Sequence, residues 1–169
     1  SQNRAIEFAL LLTVPATLAL VTIGDPIVRV LFERGAFDAA ATKNTAAALS
    51  AFSVGLPAYV LIKALTPGFF ARQDTVTPVK IAIVAMVVNV VLALILMQVL
   101  SHVGIALATA CSAWMNAIIL WVILHRRGQF HADARLWNRG IRTIAVSLVM
   151  AGALFYAASM PVSYTHLRA

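Results

Sequence analysis

Lys63 is the side chain whose type and setting carry most chemical information, because it stands inside a long apolar run. A cation within a membrane-spanning helix costs at least about 2.5 kcal/mol and normally faces a polar cavity or an oppositely charged partner. Arg72 lies nine positions after Lys63. That is about 13 Å of helix, a long way for an ammonium to reach back to the headgroups. Four residues after Lys63 comes Pro67, which lacks the N–H that would bond the Lys63 carbonyl, and Gly68 follows it. Pro57, just behind Gly55, is a second weak point. A local break in the helix is therefore expected around Pro57, Pro67 and Gly68, and broken helices that line a cavity recur in transporters. Two readings of Lys63 remain open. Either it lines a cavity for an anionic headgroup, or it pairs with a carboxylate elsewhere or reaches the interface through a bent helix.

A second set of residues carries packing rather than reactivity. Gly104, Ala108, Ser112 and Asn116 recur at four-residue spacing, as do Ala82, Ala85, Asn89 and Ala93 at three or four. Such stripes fall on one helix face and let two backbones approach closely, with Asn89 and Asn116 as interhelical hydrogen-bonders. An ion site there would normally want a carboxylate, and neither stretch contains Asp or Glu. His102, His125 and His131 lack metal-ligand spacing, and the lone Cys111 has no partner. No Gly-rich phosphate loop and no framed nucleophile occurs, so no cofactor, metal or catalytic residue is expected. A coupling ion or the membrane potential could still drive the protein, and nothing in the residues selects either.

The elements that must position these residues follow from composition. Of 169 residues, 62% are apolar and 11% charged, and mean hydropathy is +0.90. That is far from a soluble domain and leaves room for about five spans of roughly 20 residues. The class is an all-α, polytopic transmembrane bundle. The first apolar run goes from about residue 5 to 32, interrupted by Pro15 and by Gly24-Asp25-Pro26, and closes at Glu33-Arg34-Gly35. Arg34 is a gate or headgroup candidate, although charges at a water boundary are ordinary. Asp38 is placed to cap a second helix to about Ala71. Thr77 and Pro78 would open a third, to about Leu100. Ser101-His102-Val103-Gly104 is a tight connection into a fourth, to about Leu124. Residues 129–138 read as a polar cytoplasmic segment, and 141–160 as a fifth span. Residues 163–169 break the pattern and resemble a non-native tail. The division is thus 1–128, 129–162 and 163–169.

Orientation follows from the basic residues, since Lys and Arg are retained on the cytoplasmic side. The chain carries 13 Lys and Arg against 6 Asp and Glu. Arg4, Arg72, Lys80, Arg126, Arg127, Arg135, Arg139 and Arg142 gather on one side, Arg34 and Lys43 on the other. The basic excess orients the chain in a bilayer and calls for no nucleic-acid partner.

Several segments together resemble the MurJ/MviN lipid II flippase family of the multidrug/oligosaccharidyl-lipid/polysaccharide exporter superfamily. They are Leu31 to Phe37, Leu61-Ile62-Lys63-Ala64-Leu65-Thr66-Pro67-Gly68-Phe69-Phe70-Ala71-Arg72-Gln73-Asp74, Thr77 to Lys80, and His102 to Thr109. The likeness covers the chain to about Gly128. It implies a two-lobe, fourteen-helix protein of the bacterial inner membrane, with this chain as helices nine to thirteen and the remainder of the transporter as its partner. The implied function, part of peptidoglycan and cell-wall synthesis and hence cell shape, is outward flipping of the undecaprenyl-pyrophosphate-linked precursor by alternating access. A polysaccharide-lipid or drug exporter of the same superfamily is the alternative, and a membrane scaffold or embedded enzyme a more distant one. Lys63 matches a position commonly basic in the family.

Overall fold

The computed structural model describes residues 2–32, 39–128 and 134–159. They form four helical elements: α1 (Gln2–Phe32), α2 (Ala39–Phe70), α3 (Val76–Arg126) and α4 (Ala134–Ser159). All four are long and apolar enough to cross a bilayer. α3 has 51 residues. As a straight rod it would extend about 76 Å, more than twice the ~30 Å hydrocarbon core. Instead it is a hairpin. Ser101 takes φ 51° and ψ −132°, a region that glycine favours, and the chain reverses there. Residues 76–100 and 102–126 are its two arms, so four elements supply five spans. The ends meet again at Arg127, whose guanidinium lies 2.6 Å from the Asp74 carboxylate.

Gly104 permits the reversal. A Cβ there would stand 2.5 Å from the Leu96 carbonyl carbon, in backbone that cannot give way. Gly55 plays a similar part between α2 and the second arm, where a Cβ would lie 3.2 Å from Ala110 Cα. Ala58, Ala113 and Ala117 continue that seam. Lipid tails are as apolar as leucine, so helices in a bilayer gain little from burying apolar surface against one another, and close packing of small residues has to hold them.

The elements stand in the order α4, α1, α2, α3, since α1 packs on both α2 and α4 and α2 packs on both α1 and α3. α1 and α2 are antiparallel, with Ile6 beside Leu65 and Phe69 at one end and Gly24 beside Ser50 towards the other. The second arm of α3 runs parallel to α2, and α4 runs parallel to α1, pairing Arg139 with Glu7. Ile6, Leu65, Phe69, Ile81, Leu120 and Leu124 form the largest core cluster. It lies at the end that also carries Asp74 and Arg127, the end assigned to the cytoplasm.

Several boundaries differ from the sequence expectation. α2 stays helical through Pro57 and Pro67, with Gly68 still inside the element. The prolines therefore delete hydrogen bonds from a continuous helix rather than breaking it. At Pro57 the reason is visible: the Ser53 carbonyl, left without its usual N–H, accepts a hydrogen bond from the Thr17 hydroxyl of α1 at 3.0 Å. α1 does kink, at Ile23 (φ −113°, ψ 15°), three residues before Pro26. α3 begins at Val76, and its first turn is capped by Asp74 rather than Thr77. Asp74 accepts from the Thr77 N–H at 3.0 Å and from the Thr77 hydroxyl at 2.7 Å. α4 begins at Ala134, well before the expected Ile141, because its first turns form a polar extension that carries Arg139 to Glu7. Asp38, Arg34 and residues 163–169 lie outside the described residues.

Candidate functional site

A groove of about 280 Å³, apolar with a few amide and hydroxyl groups, opens between α2 and the two arms of α3. Tyr59 and Ile62 come from α2, Ala82, Ala85, Met86 and Asn89 from the first arm, and Thr109, Ser112, Ala113 and Asn116 from the second. The two small-residue stripes therefore face one another, with α2 closing the third side. Close contact of the arms is reached at Gly104 against Leu96, near the turn. Further along, the arms leave the groove between them.

That separation corrects one expectation. Among the described residues no hydrogen bond joins Asn89 to Asn116, and the buried Oδ1 of Asn116 has no hydrogen-bond partner. The hydroxyls nearby are occupied by backbone carbonyls. Thr109 donates to the Ile105 carbonyl at 2.8 Å, Ser112 to the Thr109 carbonyl at 3.0 Å, and the Tyr59 hydroxyl reaches that same carbonyl at 3.5 Å. The indole N–H of Trp114 donates to the Val54 carbonyl at 2.9 Å and ties the second arm to α2. What the groove offers a visitor is thus the Asn116 carbonyl oxygen and the Asn89 amide.

Lys63 is exposed on α2, one helical turn beyond the Tyr59 that lines the groove, and is not itself among the lining residues. No carboxylate among the described residues pairs with it. Pro67 leaves the Lys63 carbonyl without its i+4 donor, so the ammonium and a carbonyl lacking its usual helical partner come from one residue. The polar groups of the groove are neutral amides and hydroxyls, and Lys63 is the cation on the neighbouring turn of α2. They lack the carboxylate of a divalent-cation site. No group of three or more potential metal ligands occurs among the described residues.

At the cytoplasmic end a second cluster fixes the frame. The turn after α2 is a Schellman closure, with Asp74 N–H to the Phe69 carbonyl at 3.1 Å and Gln73 N–H to the Phe70 carbonyl at 2.9 Å. Gln73 sits at φ 59°. Asp74 then caps α3 and receives Arg127, whose guanidinium also lies 6.0 Å from the centroid of the Phe69 ring. The Arg127 hydrogen bond, followed by those from Thr77, lowers the Asp74 carboxyl to about 2. Nothing in local spacing predicts an ion pair across 53 residues. The Asp-x-x-Thr run did offer a signal for the cap, and the serine four residues before Pro57 marked a carbonyl in search of a donor.

Comparison with known proteins now bears on this arrangement. The model of the family described as lipid II flippase MurJ matches residues 1–166. The chain belongs to the lipid II flippase MurJ family. A probable lipid II flippase MurJ of Rhizobium tropici is 48% identical over 155 residues, covering 92% of this chain and 29% of that protein. Its counterpart in Vibrio cholerae is 38% identical over 151 residues, covering 89% and 29%. A solved structure of lipid II flippase MurJ in an inward closed conformation superposes with a TM-score of 0.80 at 25% identity, over 98% of this chain and 33% of that one. The chain therefore spans less than a third of the relatives it matches. As a MurJ-family chain with five apolar spans it is a multi-pass protein of the bacterial inner membrane, and the family is one of transporters.

Proposed function

We propose that this chain forms part of a flippase that moves the lipid-linked peptidoglycan precursor, lipid II, from the inner to the outer leaflet by alternating access. The observation that carries this reading is Lys63, exposed at membrane depth and without an ion-pair partner among the described residues, one turn along α2 from the groove, on a chain of the MurJ family. A lone ammonium facing hydrocarbon would be costly, so its exposure here marks a surface that the remainder of the transporter turns towards water. There the ammonium attracts the pyrophosphate of the precursor, while the polyprenyl tail stays in the bilayer. The groove amides supply neutral contacts that do not hold the substrate too tightly to release it. Chemistry on the substrate is not required, and the protein acts as a transporter rather than as an enzyme.

The test is Lys63→Ala and Lys63→Arg in the full-length protein, assayed by flipping of the labelled precursor in proteoliposomes. Hydrogen bonds to charged groups contribute about 1.5–3 kcal/mol, so Lys63→Ala should lower flipping about tenfold or more. Lys63→Arg should keep most of it. Unchanged flipping by the alanine variant would remove Lys63 from the mechanism.

A further inference from the structure

A groove of about 450 Å³ runs between α1 and α4 from their cytoplasmic ends, lined by Glu7, Leu11, Pro15, Arg139, Arg142, Thr143, Val146 and Ser147. From the geometry we infer that it is a binding site for an anionic phospholipid of the inner leaflet, with the headgroup phosphate on Arg142 and the upper acyl chain between Leu11, Pro15 and Val146.

Charge decides the headgroup end. Glu7 pairs with Arg139 and neutralises it. Arg142, one turn further on, is exposed and has no ion pair among the described residues. The mouth of the groove therefore holds one uncompensated guanidinium, a fork that binds phosphate in bidentate fashion. Basic pockets between helices at the cytoplasmic face take lipid headgroups in this way. Were another helix to close the groove, it would bury that guanidinium and have to supply a carboxylate, whereas the ambient anion at this depth is phosphate.

Length and polarity settle the other end. Arg139 to Ser147 covers about 12 Å along α4, enough to pass from headgroup level into hydrocarbon. Over that distance the lining changes from Glu7 and two arginines to Leu11, Pro15 and Val146, the last 69% exposed. The Ser147 hydroxyl donates to the Thr143 carbonyl at 2.6 Å and so presents no free polarity to the chain. The proposal is independent of the flippase reading and of Lys63.

The experiment is native mass spectrometry of the full-length protein released from vesicles of phosphatidylethanolamine with phosphatidylglycerol, counting retained anionic lipids. Arg142→Gln should lower occupancy of one lipid about fivefold, the equivalent of about 1 kcal/mol per basic residue at the surface. Val146→Trp, which fills the groove without touching charge, should lower it too. Lys80→Gln removes another exposed cytoplasmic charge, outside the groove, and should change nothing. Equal retention by wild type, Arg142→Gln and Val146→Trp would overturn the site. So would an equal loss in Lys80→Gln, which would mean diffuse attraction, or full displacement by inorganic phosphate alone, which would mean that the acyl chain contributes nothing.

Discussion

Thr17 allows a direct test of how α2 tolerates Pro57. The perturbation is Thr17→Val, which keeps the branched shape and removes the hydroxyl that donates to the Ser53 carbonyl at 3.0 Å. Ser53 is 1% exposed, so no water replaces that donor. An unsatisfied buried group costs about 1–3 kcal/mol, but measured interhelical hydrogen bonds in membranes average about 0.6 and reach about 1.7 kcal/mol. We therefore expect Thr17→Val to cost about 1 kcal/mol. The decisive comparison is with Pro57→Ala, which restores a backbone N–H four residues after Ser53. In that background the carbonyl is satisfied within its own helix, and Thr17→Val should cost less than about half as much. Thermal unfolding of the full-length protein in detergent, run as a double-mutant cycle, supplies the four values. A cost for Thr17→Val that is the same in both backgrounds would refute the idea that the hydroxyl substitutes for the missing N–H.

Further outcomes follow from the hairpin and its cytoplasmic closure. Gly104→Ala places a methyl group against the Leu96 backbone and should destabilise by about 1–3 kcal/mol, the usual cost of overpacking, whereas Gly152→Ala, with open space around it, should be silent in the same unfolding measurement. Because Asp74 titrates at about 2 in the folded chain against an ordinary 3.8, its charge stabilises the fold fully above 3.8 and loses that contribution as pH falls towards 2. Asp74→Asn should accordingly lower the unfolding temperature at pH 6, and the gap from wild type should close between pH 3.8 and 2. A gap that is flat with pH would exclude the carboxylate as its source.

Much of the architecture was legible because lipid imposes simple rules on a sequence. Apolar runs had to be spans, and Ser101 to Gly104 had to be a turn because the run around it is too long for one crossing. The alternation of basic residues gave the direction of each span, and the antiparallel and parallel pairings agree with it. Features that depend on which atom meets which were not legible. Pro57 and Pro67 suggest a broken helix because a missing N–H is visible in sequence, while the donor that replaces it at Pro57, Thr17 acting on Ser53 from 36 residues away, is not. Asn89 and Asn116 look like partners because they share facing stripes, yet both line a groove and no hydrogen bond joins them among the described residues. Arg127 registered only as a topology signal, since its role depends on Asp74 arriving from the other end of α3. Lys63 stood out at once, since the cost of its charge in hydrocarbon needs no knowledge of neighbours.

The order α4, α1, α2, α3 makes the described chain a single file of helices, joined at three seams like the leaves of a folding screen. Such a screen has two broad sides. In a bilayer one can meet acyl chains while the other walls a wet passage, and neither needs a core of the kind a soluble protein builds. Substitutions on the two sides should therefore obey different hydropathy rules at the same depth. A small rotation at the α1–α2 or α2–α3 seam would swing the helices on either side of it together.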